Sequence, residues 1–455
     1  MNPAATPTPS STQGPLSRRN LLRLAALGTA GVPLLTSCGG DAPSPGNSSA
    51  AAPVTLSLWT HDKGYISYFT DYARKLGGGS AGFATSLQVT QAPPADLVTK
   101  ALAAYTARAS TPDLLGIEIS QFSRFLKDGI AEQVLLDLTP ALGASKDQFF
   151  DQRWSPYTID GKVYGVESSY PLAVYYYRQD LLQKFKISPE SLQTWDDVLK
   201  AGEITARDGV ALGVIATGGD PGAVLTHFGL LFQQRGGQFF APDGSLTLDS
   251  REAVEALTLM VAGLKSGAFT GLSDFFGGPG TAVLKQGRTA GYFMPDWFNV
   301  FVLAPSVPEQ KGKWRIAPLP RFTGGGSRTS VWGGTGFAVS KDKPGSKAAY
   351  ELLAKSYLTV EGQLQRFTQL KYLPTMKAVW EDPQFLAYSD EFLGGQEIAK
   401  VYKELATEAP GQNQSLQWNV MQTELSKQLV EAYNGRVSPS GAITAAAKAI
   451  ASQAT

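Results

Sequence analysis

Apolar and polar positions alternate over residues 54–58 (Val54, Thr55, Leu56, Ser57, Leu58), the period-two pattern of a strand with one buried face. The chain then opens into Trp59-Thr60-His61-Asp62-Lys63-Gly64, and a helix is predicted over 66–75, a strand over 86–90 and a proline-led helix over 94–109. A second proline-led strand starts at Pro112 and ends at Glu118-Ile119-Ser120-Gln121, with a short helix predicted over 122–128. This β-α-β-α succession predicts a parallel sheet with helices on its faces. Ligands of such sheets gather beyond the carboxyl ends of the strands. Trp59, His61, Asp62, Glu118 and Ser120 are therefore candidate site residues, Trp59 for its apolar face and the carboxylates as acceptors. The alternative, Trp59 in the core and His61 at the surface, stays open.

The middle of the chain carries strand character at 163–166 and again at 171–177, where Leu172, Val174 and three tyrosines follow Pro171. A turn at Ser168-Ser169 separates the two runs, so this stretch reads as a segment crossing between lobes. Thr194-Trp195-Asp196-Asp197 is a capping box that opens a helix over 195–205. The buried-strand run 210–216 ends in a glycine turn presenting Asp220, and 225–234 is helical. Asp243-Gly244-Ser245 turns a hairpin between 238–240 and 246–248. A helix over 251–267 has Val254, Leu257, Val261 and Leu264 on one face and stops at Gly267. A strand over 289–294 is expected to cross back and end at Pro295-Asp296-Trp297. The glycine-rich stretch 331–336, with Trp332, Gly333 and Gly334, makes a further crossing into the strand 337–339, and a helix of the second lobe is predicted over 344–358. Tyr372 and Trp418 lie in a closing helical part.

Length and charge narrow the class. The chain has 455 residues, more than one ordinary core, and two lobes are the natural division. A formal net charge of +1 gives no reason to expect nucleic acid. Two histidines and one cysteine are too few for a zinc site, and no cofactor or metal is expected. The oxygen-rich run from Asp243 has Val254 where a calcium loop needs glutamate, and no G-K-[ST] follows the glycines at 333–336. Gly78-Gly79-Ser80-Ala81-Gly82 matches G-x-S-x-G but follows a helical segment, where a nucleophile elbow needs a strand.

The first 53 residues read as something other than fold. Ser17-Arg18-Arg19-Asn20-Leu21-Leu22 resembles a twin-arginine export signature, an apolar run follows over 24–35, and Leu35-Thr36-Ser37-Cys38-Gly39 resembles a lipobox. Residues 1–37 are then a signal peptide, Cys38 carries lipid, and the small, proline-rich 38–53 is a flexible tether. The expected location is the outer face of a membrane.

Taken in order, VTLSLWTHD, STPDLL, DGKVYGV with YYYRQDLL and TWDDVL, AVLKQGRTAGYFMPDW, KWRIAPLPR and WGGTGFAVSKDKPGSKAAYELL resemble the solute-binding proteins of carbohydrate ABC importers, the maltose-binding-protein-like group. The resemblance implies a periplasmic-binding-protein-like α/β fold: two α/β lobes joined by three crossing segments with a ligand cleft between them. It places 54–169 and 293–335 in the first lobe and 170–292 and 336–455 in the second. It implies a carbohydrate ligand, permease subunits as partners, a monomer and no catalysis. Trp297 matches the position where the family presents an aromatic residue, and Asp296 beside it can accept hydrogen bonds from vicinal hydroxyls. The implied contacts are Trp59, His61, Asp62, Glu118 and Ser120, then Tyr170 at the hinge, Asp220, Asp296, Trp297, Trp332, Gly333, Gly334 and Trp418. A glycoside hydrolase, whose carboxylates would stand about 5–9 Å apart, a ferric-ion binder using Tyr175 to Tyr177, and a polyol, osmolyte or peptide binder remain as alternatives.

Overall fold

The structure, a computed structural model, describes residues 54–77 and 85–453. The export signal, Cys38, the tether and the Ser80 loop lie outside the described residues. Among the described residues no helix is long and apolar enough to cross a membrane.

Among the described residues twelve strands follow in chain order: β1 (Val54–Thr60), β2 (Thr85–Gln91), β3 (Leu114–Glu118), β4 (Thr158–Ile159), β5 (Lys162–Val163), β6 (Val166–Glu167), β7 (Ala173–Arg178), β8 (Gly213–Ala216), β9 (Phe269–Leu272), β10 (Gly291–Pro295), β11 (Trp314–Ala317) and β12 (Thr335–Val339). One sheet has the order β2-β1-β3-β12-β6, with β1 parallel to β2 and β3, and β12 antiparallel to β3 and β6. Its inner strand β3 is apolar at every position but the last, as burial on both faces requires. A second group holds the antiparallel sheet β10-β7-β11 and the parallel pair β8-β9.

Local signals in the chain set the helix ends. Thr194 and Asp197 exchange the two bonds of a capping box at the start of Trp195–Thr205. Ser250 caps Arg251–Ser266, and Gly267 ends it at φ 77°. The expected turn at Asp243-Gly244-Ser245 closes with Phe240 and Leu246 bridged antiparallel.

Sheet membership corrects the expected path between lobes. Strands β10 and β11 pair with β7, so residues 291–317 remain with the second group and 289–294 is not a crossing. Strand β12 joins β3, and the helix Ser346–Tyr357 packs on β12 and β1, so the chain enters the first lobe where the second was expected. The helix Val360–Leu370 stays there against Lys63–Gly77. The crossings are 168–171, 331–335 and the strap beginning at Tyr372, whose neighbour Leu373 accepts a 3.0 Å bond from the Tyr170 N–H.

Candidate ligand site between the two lobes

The carboxyl end of β3, in the first group, comes near that of β8, in the second: the charge of Asp220, just beyond β8, is felt at Glu118, the last residue of β3. The helix Trp418–Tyr433, which packs on Pro221–Gln234, also lies against Ile119–Leu126 of the first lobe. A bridging run reinforces that meeting: the Gln412 carbonyl accepts from Ser155 Oγ at 3.1 Å, while the Gly411 carbonyl accepts from Gln238 Nε2 at 2.7 Å.

At the end of β1 the expected trio divides. Trp59 is a strand residue, half-buried beside a satellite apolar cluster, and Lys100 Nζ sits 4.4 Å from its ring centroid. That face is covered, so Trp59 is not an open stacking platform. Asp62 is buried, and both its oxygens are used: Oδ1 accepts from the Gly64 N–H at 2.7 Å and Oδ2 from the Tyr372 hydroxyl at 2.6 Å. It caps a helix and holds the strap rather than waiting for a hydroxyl. His61 keeps a buried Nδ1 without a partner; burial lowers its pKa against the opposing pull of Asp62 and a hydrogen bond to the Gly116 backbone.

Glu118 ends β3 and caps Ile119–Leu126, accepting from the Ser120 N–H at 2.9 Å and from its hydroxyl. Burial pushes its pKa up to about 7, Ser120 resists, and the charges of Glu167 and Asp220 add to the rise. The Asp220 contribution comes from the opposite lobe. Asp220 itself is exposed and caps Pro221–Gln234 through the Gly222 N–H at 3.0 Å. Its turn requires glycine, since Gly219 has φ 74° and a Cβ there would stand 2.2 Å from the Ser273 carbonyl oxygen.

At the end of β10, Asp296 is buried, with Oδ2 accepting from the Leu373 N–H at 2.9 Å and Oδ1 unpartnered. Burial raises its pKa to about 7, against the backbone hydrogen bonds from Leu373 and Trp297. Trp297 is half-buried, and its Nε1–H donates to the Trp332 carbonyl at 2.9 Å, which fixes the indole plane. Trp332 packs into an aromatic cluster, 6.0 Å from Phe239 and 6.1 Å from Trp418, and Gly229 makes room for its ring. Trp418 is 1% exposed with a buried, unpartnered Nε1. Tyr170 is fully buried, stacked 4.4 Å from Phe150 with its hydroxyl on the Ala406 carbonyl, so it is a core residue of the crossing with no face left for a ligand. Tyr175 and Tyr176 donate their hydroxyls to the backbone carbonyls of Leu212 and Pro295, which argues against their service as iron ligands.

The sequence reading missed the knot under the crossings. Arg153 Nη2 donates to Glu167 Oε2 at 2.6 Å and to the Gly333 carbonyl at 3.1 Å. Glu167 also takes the Tyr157 hydroxyl at 2.5 Å, and its Oε1 accepts from the N–H groups of Ser168 (3.0 Å), Ser169 (3.3 Å) and Thr335 (3.0 Å). Gly334, at φ 132°, has no room for a Cβ, which would stand 2.7 Å from Arg153 Nη2 and from Glu167 Oε1. Phe149, Trp154, Val166 and Thr375 close around the pair and leave no room for a water molecule. Where the lobes meet, both amide atoms of Gln414 and the Gln412 Oε1 are buried without partners among the described residues. Buried amides normally find hydrogen bonds. The Trp418 N–H is likewise buried and unpartnered, and its ring joins the indole row of Trp332 and Trp297; amides and indoles of this kind suit a polyhydroxylated solute.

The model of the bacterial extracellular solute-binding protein family matches residues 70–390. An arabinooligosaccharide-binding protein of Halalkalibacterium halodurans is 29% identical over 304 residues, covering 64% of this chain and just under two thirds (65%) of that protein. Another, from Bacillus subtilis, is 26% identical over 377 residues, 80% of this chain and 83% of the relative. Among solved structures, the ABC transporter associated binding protein of B. animalis subsp. lactis in complex with beta-1,6-galactobiose has a TM-score of 0.73 at 20% identity, covering 88% of this chain and 97% of that one. The cyclic alpha-maltosyl-1,6-maltose binding protein of Arthrobacter globiformis has a TM-score of 0.73 at 21% identity, with 88% and 99% covered. These structural likenesses concern the fold.

Proposed function

The chain belongs to the bacterial extracellular solute-binding proteins, and on that premise we propose that it captures an oligosaccharide between its lobes and delivers it to the membrane permease of an ABC importer. The observation that carries this reading is the row of indoles in which Trp297 bonds to the Trp332 carbonyl and the Trp332 ring lies 6.1 Å from Trp418, at the start of a helix that touches both lobes, together with the buried, unpartnered polar atoms of Gln412, Gln414 and Trp418. A sugar offers hydroxyls to such amides and a C–H face to such an indole. The two relatives named for arabinooligosaccharide binding support a carbohydrate.

On this reading the first lobe comprises 54–169 and 335–370, and the second 170–330 and 398–453. Asp220, Trp297 and Trp418 act from the second lobe; Glu118, Ser120 and His61 act from the first. A ligand touching both sides favours the closed arrangement by its differential contacts, and the permease reads that arrangement. The protein works as a monomeric binder without turnover. Export by the twin-arginine signature and lipid on Cys38 anchor it outside the membrane, so Cys38→Ser should release it from the membrane fraction of expressing cells.

Calorimetry against arabinooligosaccharides, maltooligosaccharides and lactose tests the reading. We expect binding of at least one series and an affinity at least about tenfold weaker in Trp297→Ala, with unfolding temperature preserved. Failure of every series to bind would refute it, and sugar released on prolonged incubation would refute the absence of turnover.

A further inference from the structure

Two of the large apolar side chains that stand out in solvent lie near Trp297, Phe276 in space and Phe301 four residues on along the chain. Phe276 is 41% exposed, on the loop beyond the carboxyl end of β9, and its ring centroid lies 6.2 Å from that of Trp297 at an interplanar angle of 41°. Phe301 is 52% exposed and follows Trp297 by four residues on the helical segment after β10. That segment contains a π-helical turn, Asn299–Leu303, with the Ala304 N–H returning to the Asn299 carbonyl. Such turns recur at functional sites. At this spacing residues four apart fall on one side of the helix, about 5–6 Å apart at Cβ. The opposite side is anchored: Phe298 and Leu303 are fully buried, and Asn299 Nδ2 donates to Asp390 Oδ2 at 3.0 Å. The helical segment is thus held from behind, while Phe276 and Phe301 stand in solvent and Trp297, its N–H turned in to the Trp332 carbonyl, is half-buried. Scattered exposed apolar residues are ordinary, but Phe276 adjoins Trp297, a half-buried tryptophan of the candidate site. The neighbouring residues Gly277, Gly278, Pro279, Val300 and Val302 are uncharged, with open space at Gly278 where a side chain would stand, and the one carboxylate beside them, Asp274, accepts from the Gly277 N–H at 2.9 Å.

We propose that Phe276, Trp297 and Phe301 form an aromatic track along which the sugar chain continues out of the cleft over the second lobe, so that the protein selects chains of three or more units. The inference rests on the oligosaccharide reading above and adds to it a direction and a minimum length. Each ring offers a stacking face on the scale of one sugar unit, and stacking needs no particular hydroxyl pattern, so the track reads length rather than identity.

The test is calorimetry of the unsubstituted protein, Phe301→Ala, Phe276→Ala and Phe301→Tyr against arabinooligosaccharides and maltooligosaccharides of one to six units. We expect wild-type affinity to rise with length beyond two units. Phe301→Ala should lose about five- to tenfold for the longest chains and less than about twofold for the disaccharide, Phe276→Ala should lose affinity from an intermediate length onward, and Phe301→Tyr should restore the wild-type profile. Equal weakening at every length, or no weakening at any, would overturn the track. Unchanged sugar affinity with slower uptake in cells carrying the importer would overturn it too and assign the rings to permease contact. Binding with flat length dependence would sink this inference and leave the parent reading standing, whereas no binding of any chain by the unsubstituted protein would sink both.

Discussion

Replacing Arg153 by methionine removes one side of an ion pair whose partners are 2.6 Å apart and each 2% exposed at the side chain. The stranded Glu167 would keep the Tyr157 hydroxyl and three backbone N–H groups but lose its buried counter-charge. Breaking a buried pair from one side costs about 3–5 kcal/mol. Unfolding entropy of about 2.1 cal/mol/K per residue gives roughly 0.8 kcal/mol/K for a body of roughly 400 residues, so the midpoint should fall by about 4–6 °C. The two oxygens of Glu167 do separate jobs, and the double variant R153M/E167Q exploits that. Its amide oxygen can still accept from Ser168, Ser169 and Thr335, while no unpaired charge remains. Differential scanning calorimetry of the wild type, both single variants and the double variant completes the cycle. The double variant should recover at least half of the loss. A fall of less than about 1 °C in R153M, or a double variant as damaged as the two losses added, would refute the assignment of this pair as the fastening beneath the crossings.

Glu118 and Asp296 both have pKa values raised to about 7 in the folded chain from ordinary values of 4.5 and 3.8. The folded state therefore holds more protons than the unfolded one between those limits, and stability should decline as pH rises from about 4 to 7; urea titrations at several pH values should find a shallower decline in Asp296→Asn, and an unchanged slope would argue against it. Trp332→Ala empties the space against Gly229, Phe239 and Trp418 and should cost about 3–5 kcal/mol in urea unfolding, where a loss below about 1 kcal/mol would mean the cluster collapses to fill it. With one face of Trp59 under Lys100, Trp59→Phe should leave sugar affinity within about twofold of wild type by calorimetry, and a larger drop would reinstate Trp59 as a contact.

Features written in neighbouring residues were legible in the sequence. The alternation of 54–58, the capping box at Thr194 and the stop at Gly267 each depend on a few adjacent side chains, and each has its counterpart in the fold. The path of the chain between lobes was not legible in the same way. Strand β12 pairs with β3 across more than two hundred residues, and nothing local in Thr335–Val339 tells an inner strand of one sheet from that of another. The carboxylates failed for the same reason. Asp62 and Asp296 look free in the sequence, yet their partners Tyr372 and Leu373 stand 310 and 77 residues away. Glu167 did leave a signal, a lone charge inside the strand-like run between Val166 and Leu172, where burial demands an answering cation. Phe276 left none, because exposure is decided by what fails to cover a residue.

The run from Gly411 to Ser415 is fastened unevenly. On the second lobe it holds the side chain of Gln238 and the carbonyls of Phe240 and Gly244 through the Gly411 carbonyl, Asn413 Nδ2 and Ser415 Oγ. Toward the first lobe it accepts one bond, from Ser155 Oγ to the Gln412 carbonyl, among the described residues. A neutral hydrogen bond contributes about 1 kcal/mol net, so this latch resists opening by little more than a fivefold factor in population. Residence time would then be governed by the cargo's own grip on both lobes, and a weakly held sugar would leave quickly while the run stays folded on its home lobe, ready for the next encounter.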